Sequence, residues 1–304
     1  MTDLLEKPAA LIAPRAVAES ATPRPAAASD RRRAAGPIAA LLRRPGVIVA
    51  LAVVAFAILT AIVPSLFAIY DPTATAPAVR LQPPSLQHWF GTDELGRDLY
   101  SRVVHGSTLT IAATALAIGI ALVAGLTLGV VAGFVGGGVD AVTMRIVDVF
   151  LAIPGLLLAL AIVTALGFGT IPVAVAVGIG IVPGFARTTR AEVLRVKTLP
   201  YIEAARAGGA SWARILVTHV LPNSWGPVAV LAVLDFGAAI LAVAALSFLG
   251  FGAAPPAAEW GTLISNGRNF LITAPWVSLL PGLFVAVVVL SLNHLAKSLE
   301  EVQR

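Results

Sequence analysis

The 304-residue chain contains no cysteine, and only 12% of its residues are charged. The absence of cysteine excludes disulfide bridges, thiolate metal sites and cysteine nucleophiles. The four histidines are far apart in the sequence and predict no metal cluster. Apolar residues make up 58% of the chain, against about 45–50% in soluble domains, and the mean hydropathy is +0.90. This composition excludes an ordinary soluble enzyme and indicates an integral membrane protein.

Apolar runs that could cross a membrane occur six times along the chain. A spanning helix needs about 20 mostly apolar residues. The charge-free stretch between Asp148 and Arg187 is too long for one helix, and a Gly-Phe-Gly-Thr turn at 167–170 divides it in two. The sequence therefore predicts an all-α integral membrane protein with six transmembrane helices, at residues 46–69, 107–135, 149–166, 171–186, 226–250 and 275–293.

The distribution of basic residues predicts the orientation of these helices. Of the 21 Lys and Arg residues, 17 lie in the terminal tails and loops of one face and four lie in loops of the other. Because cytoplasmic loops collect Lys and Arg, both termini are expected in the cytoplasm, the N-in/C-in arrangement. In a membrane protein the placement of the charges matters more than their sum, so the net charge of +5 does not predict a nucleic-acid partner. The run at 46–69 exceeds the ~7–15 residues of a signal-peptide core and favours an uncleaved anchor.

The chain divides into three parts. Residues 1–40 are rich in Pro and Ala, contain three consecutive arginines and lack apolar periodicity, which predicts a disordered cytoplasmic tail. Residues 41–106 are expected to hold the first transmembrane helix and an extracytoplasmic loop with a lead-in helix. Residues 107–304 are expected to form a five-helix core with a cytoplasmic loop at 187–225. No soluble domain is predicted.

The loop at 187–225 contains two short helices separated by a bend. Residues 201–207 are helix formers, Gly208 and Gly209 offer the left-handed residue that ends a helix, and Gly208 is expected to permit the bend. Ser211 is a suitable N-cap, and Pro222 is expected to stop the second helix. Glu203 and Arg206 are free to project towards a soluble partner. A single stripe of the second helix holds Trp212, Ile215, Leu216, His219 and Val220. Periodicity alone favours an amphipathic loop at the membrane surface.

The order of residue types in this loop resembles the signature loop of ABC importer permeases. The resemblance implies a type I ABC importer permease fold, in which the first short helix is a coupling helix that sits in a cleft of a cytoplasmic ATPase subunit. The residues it assigns to ATPase coupling are Glu203, Ala204, Ala205, Arg206, Gly208, Ile215, Leu221 and Pro222.

A second motif lies at 90–106, just before the second predicted span. Thr92 is expected to cap a helix whose first turn contains Asp93 and Glu94, with i, i+4 ion pairs Asp93–Arg97 and Asp98–Arg102. The run Gly-Thr-Asp-x-x-Gly-Arg-Asp resembles the dipeptide/oligopeptide/nickel group of permeases, and specifically the C-type subunit of each pair. Three further matches support this group: the run at 245–252, Trp260-Gly261 and Asn266-Gly267-Arg268.

The resemblance implies a complete transport machine around this chain. Its partners would be a homologous second permease, two ATPase subunits (or one fused), an extracytoplasmic substrate-binding protein and the lipid bilayer of a bacterial cytoplasmic membrane. ATP and Mg²⁺ would bind to the ATPase subunits, with no cofactor and no enzymatic activity in this chain. None of the three lysines follows a glycine, so the chain lacks a P-loop. Dipeptides, longer peptides, nickel chelates and other small solutes remain alternative substrates.

Asp235 is the single charged residue within the predicted spans. A carboxylate there costs about 2.5–3.5 kcal/mol on insertion scales and should face the interior. It is expected either to line the translocation path or to tie two helices together through a hydroxyl. One isolated carboxylate argues against an ion-coupled secondary transporter and against an intramembrane aspartyl protease. A serine protease would need Ser247 and His294 at matching depth.

Overall fold

The computed structural model describes residues 44–303, and the predicted tail at 1–40 lies outside these residues. All regular secondary structure in the described part is helical. Nine principal helices follow one another along it: α1 (Pro45–Ile62), α2 (Leu99–Val135), α3 (Gly137–Ala152), α4 (Gly155–Leu166), α5 (Thr170–Lys197), α6 (Pro200–Ala207), α7 (Trp212–Phe248), α8 (Trp260–Gly267) and α9 (Trp276–Gln303).

Five of these helices, α1, α2, α5, α7 and α9, are long and apolar enough to cross a membrane. The pair α3 and α4 supplies a sixth span if it is counted as one, but the two helices are bent by 93° at their junction. The prediction of one continuous helix at 149–166 is therefore wrong. Pro154 explains the break, because proline forces the preceding residue, Ile153, into an extended conformation and cannot donate a helical hydrogen bond.

Proline and polar residues also shift other helix boundaries from their predicted places. Helix α1 ends at Ile62, before Pro64, whereas the predicted span continued to 69. Helix α5 continues to Lys197, well past the predicted end at 186. Its polar end is held by ion pairs to α3, with Arg187 2.6 Å from Asp148 and Arg190 donating to both carboxylate oxygens of Asp140. The predicted turn at 167–170 is confirmed between α4 and α5.

Helices α2 and α5 run parallel and pack along most of their length. Three glycines of α2, at i, i+4 and i+8, allow this approach. A Cβ atom at Gly129 would lie 2.6 Å from the Thr189 side chain, and one at Gly133 would lie 2.9 Å from that of Val193. At Gly125 an added Cβ would collide with Phe185. Small residues at four-residue spacing are a standard means of close helix packing in membranes.

Helix α7 packs on both members of the α2–α5 pair, α1 packs on α2, and α9 packs on α1 and α7 and completes the bundle. Arg44 forms an ion pair of 2.5 Å with Glu301, so the two ends of the described chain lie at one end of the molecule. His294 packs against Gly46 at that same end. Ser247 lies at the opposite end of the bundle, near the end of α7, where it donates to Glu259. The structure therefore does not form the Ser247–His294 pair that a serine protease would require.

Candidate functional site

The helix–bend–helix predicted after α5 is present, and its apolar side chains fix it to the bundle. We call residues 198–220 the α6 segment. Ile202 of α6 and Ile215 of α7 are fully buried in a cluster with Val193 and Val196 of α5 and with Val220. Ala205 packs at the edge of this cluster. Three predicted coupling residues, Glu203, Ala204 and Arg206, lie on the exposed face of α6.

The bend after α6 is a glycine-terminated helix end. The Gly209 N–H donates to Arg206 O and the Ala210 N–H donates to Ala205 O, which is the paired pattern of a Schellman motif. Gly209 has φ +81°, whereas Gly208 has φ −76°. Assigning the bend to Gly208 is therefore wrong by one residue, because the left-handed position follows the helix cap. The predicted N-cap is confirmed: Ser211 Oγ accepts from the Arg214 N–H at 3.4 Å.

Trp212 joins the bend to the ends of α2 and α5. Its ring makes an edge contact with Phe134 of α2, with ring centroids 5.3 Å apart. The Arg206 guanidinium lies over the Trp212 ring, 4.2 Å from the ring centroid. Lys197 Nζ lies 5.9 Å from the same ring and donates to Phe134 O at 2.7 Å. These contacts, together with the buried cluster, connect α6 mechanically to the two parallel helices.

Pro222 does not end the second helix, contrary to prediction. Helix α7 continues to Phe248, and a π turn at Leu216–Val220 precedes the proline. A wide turn of this kind shifts the hydrogen-bond register and accommodates a residue that lacks an N–H. Leu221 and Pro222 are exposed on α7, outside the short helix α6. The predicted stripe is partly buried: Ile215 and Val220 are inside, while Trp212 is 46% exposed.

The motif at 90–106 lies at the opposite end of the bundle and differs from its predicted form. Residues 92–98 form a turn, and helix α2 begins only at Leu99 with Asp98 as its N-cap, accepting from the Ser101 N–H at 2.8 Å. Asp93 does pair with Arg97, at 2.7 Å, but it does so within this turn. The Asp98–Arg102 pair is not formed, because Asp98 caps the helix and contacts His88 Nδ1 at 2.9 Å.

Asp235 lies half-buried near the middle of α7. Within residues 44–303 its carboxylate has no hydrogen bond and no ion pair. The expected tie to a second helix through a hydroxyl is therefore absent from the described chain. The two nearest residues on its face of α7, Leu231 and Ala239, pack against the neighbouring helices.

Sequence reasoning missed Glu259, which is completely buried. Its carboxylate accepts from Ser247 Oγ at 2.8 Å and from the Ala253 N–H at 2.9 Å, and so fixes the turn that follows α7. The adjacent Trp260 is also fully buried and donates from Nε1 to Val103 O at 3.0 Å. The sequence feature that could have identified Glu259 is its position directly before the Trp-Gly motif. Among the described residues, no group of three or more His, Asp or Glu side chains is arranged to hold a metal ion.

Comparison with known proteins agrees with this architecture. Residues 125–303 match the family described as binding-protein-dependent transport system inner membrane component. The chain is 42% identical over 258 residues to the dipeptide transport system permease protein DppC of Alkalihalophilus pseudofirmus, covering 83% of this chain and 84% of that protein. It is also 42% identical, over 218 residues, to the glutathione transport system permease protein GsiD of Pectobacterium atrosepticum, covering 72% of each.

Solved structures give the same result at the level of the fold. The chain superposes on the inward-facing MetNI methionine ABC transporter with a TM-score of 0.55 and 20% identity, covering 66% of this chain and 96% of the other. The family match, at residues 125–303, includes the α6 segment. The chain therefore belongs to the binding-protein-dependent transport system inner membrane components, the permease subunits of ABC transporters.

Proposed function

We propose that this chain is one of two permease subunits in an ATP-driven importer of short peptides. The printed functions of its relatives, which are dipeptide and glutathione permeases, support this substrate class. A homologous second permease completes the pathway. Two ATPase subunits bind ATP and Mg²⁺ and carry out hydrolysis, and an extracytoplasmic binding protein delivers the peptide. The chain itself requires no cofactor.

The proposed topology places both termini in the cytoplasm. The excess of Lys and Arg on one face supports this orientation, and the Arg44–Glu301 pair keeps the two ends of the described chain together. The pair α3–α4 then serves as the third of six spans. The loop at 187–225 is cytoplasmic, and the loop at 71–106 is extracytoplasmic.

The exposed face of α6 is the observation that carries the proposal. Glu203 and Arg206 extend from a helix whose other face is anchored by the fully buried Ile202. A helix held in this way presents fixed charges to a soluble partner and passes a displacement on to α5 and α7. We assign it as the coupling helix that converts closure of the ATPase subunits into movement of the spans.

Asp235 is assigned to the translocation path. A half-buried carboxylate in a spanning helix needs a partner, and none is present in the described part of the chain. The second permease or the ammonium group of a passing peptide would provide that partner.

The test is ATP hydrolysis by the reconstituted complex, measured with and without loaded binding protein. Glu203→Ala removes an exposed charge from α6, so assembly should be preserved while stimulation by the loaded binding protein falls at least fivefold. Arg214→Ala is the matched control, since Arg214 is an exposed charged residue just outside α6. Full stimulation and transport in Glu203→Ala would refute the coupling assignment, and peptide uptake driven by an ion gradient without ATPase subunits would refute an ATP-driven importer.

A further inference from the structure

A large cavity opens at the end of the bundle opposite α6. Its volume is about 690 Å³, and it lies between the turn before α2, the turn after α7 and the segment that follows α8. Charged side chains line much of its wall: Glu94, Arg97, Arg102 and Arg268. Phe168, which stacks on Phe251 with ring centroids 5.5 Å apart, provides an apolar side. Cavities of about 300–1,000 Å³ with a few charged groups are typical of small-molecule sites.

Two of the arginines are buried beside the carboxylates of Asp93 and Glu94. The Arg97 and Arg102 side chains are 7% and 3% exposed. Arg97 is paired with Asp93 at 2.7 Å and with Glu94 at 3.3 Å. Arg102 donates to Pro72 O, but its Nε lies 3.6 Å from Asp93 and makes no hydrogen bond. Two arginines and two carboxylates balance in formal charge here, so the cation that this cavity offers to a ligand is Arg268.

The groups left for a ligand are one exposed cation and one partly exposed carboxylate. Arg268 is exposed and forms no ion pair within residues 44–303. The Oε2 atom of Glu94 is buried and has no hydrogen-bond partner. The cavity therefore combines an unpaired cation with a carboxylate whose side chain is 26% exposed.

We propose that this cavity is an entry site for short zwitterionic peptides on their way into the pathway, an inference that rests on the proposed function and orientation. The peptide carboxylate binds Arg268, the exposed cation without an ion pair among the described residues. The peptide ammonium group donates to Glu94, and an apolar side chain packs on Phe168. An acidic side chain of the binding protein fits less well, because it would use Arg268 and leave the Glu94 carboxylate facing a like charge.

The test uses a photoreactive dipeptide, alanyl-benzoylphenylalanine, and the purified complex without binding protein. In the wild-type complex we expect labelling of the cavity-lining segments of this chain. Arg268→Gln should reduce labelling about tenfold, since a charge-assisted hydrogen bond is lost. Arg80→Gln is the matched control, because Arg80 is an exposed arginine of the loop before α2 that does not line the cavity.

Modified peptides separate the two ends of the ligand. A dipeptide whose C-terminal carboxylate is replaced by an amide should label the wild-type complex weakly. Its labelling should match that of Arg268→Gln by the free peptide, because each change removes one partner of the same contact. Glu94→Gln should lower labelling by the free peptide but not by its N-acetylated form. Equal labelling by the free peptide and the amide, or wild-type labelling of Arg268→Gln, would overturn the proposal.

Two further measurements separate this inference from its alternatives. If Arg268→Gln weakens binding of the binding protein and leaves dipeptide labelling unchanged, the cavity is a docking site for that protein and the proposal is wrong. ATP-driven dipeptide uptake by wild type without any cavity labelling would overturn the entry site alone. Absence of such uptake in both wild type and Arg80→Gln would instead overturn the proposed function.

Discussion

The Glu259 carboxylate is fully buried and accepts two hydrogen bonds. Glu259→Ala would leave the Ser247 hydroxyl and the Ala253 N–H without an acceptor. Buried unsatisfied groups cost about 1–3 kcal/mol each, so we expect a clear fall in the apparent unfolding temperature. Glu259→Gln keeps an acceptor oxygen, so its apparent unfolding temperature should fall less. The measurement is thermal unfolding of the purified protein in detergent, and equal unfolding temperatures for Glu259→Ala and wild type would contradict the prediction.

Gly209, and not Gly208, is the residue whose backbone requires glycine. Gly209→Ala forces a side chain into the left-handed region at a cost of about 1 kcal/mol or more. The α6 segment should therefore open more often, and trypsin should cleave after Arg206 and Arg214 about fivefold faster, because cleavage follows the open population. Gly208→Ala is the matched control, since an added Cβ there meets only ordinary contacts of 3.4 Å or more. Faster cleavage in Gly208→Ala than in Gly209→Ala would reverse the assignment.

At the scale of helices, the α2–α5 contact depends on small residues. In Gly129→Val the new side chain would enter the space of Thr189, with its Cβ 2.6 Å from the Thr189 Cβ. We expect the helices to separate locally and the protein to lose about 1–3 kcal/mol of stability, the usual cost of overpacking. Gly119→Val in the same helix meets no atom within 4 Å of its Cβ and should be tolerated. Thermal unfolding and the monodisperse fraction after purification measure both variants.

The sequence predicts where apolar helices lie better than it predicts how they meet. Hydropathy located the spans because burial in lipid depends on composition over about 20 residues. The glycines of α2 indicate a close approach but not the partner, since any neighbouring helix could satisfy them. The Asp93–Arg97 spacing suggested a helix, yet the Asp93 carboxylate accepts from the Leu95 and Arg97 N–H groups and closes a turn. Local spacing is compatible with both conformations, and only tertiary contacts decide between them.

At the scale of the whole molecule, the orientation can be tested directly. The chain has no cysteine, so introduced thiols can be labelled without background. Ser211→Cys, in the α6 segment, should react only from the cytoplasm, and Ser85→Cys, in the opposite loop, only from outside. Ser107→Cys is buried in α2 and should react from neither side of the intact membrane. Reaction of the first two from the same side would refute the N-in/C-in arrangement.

Because α2 and α5 pack in parallel, a displacement at one end of the pair is transmitted to its other end. Both helices end beside the α6 segment, where Phe134 and Lys197 contact Trp212, and both begin near the opposite face. At 1.5 Å per residue, the 28 residues of α5 extend about 42 Å. A tilt of about 5° imposed at the α6 end would therefore displace the far end by roughly 4 Å. That distance is comparable to the width of a peptide backbone, so in the proposed orientation a small rotation on the cytoplasmic side would change the separation of the helices on the opposite side.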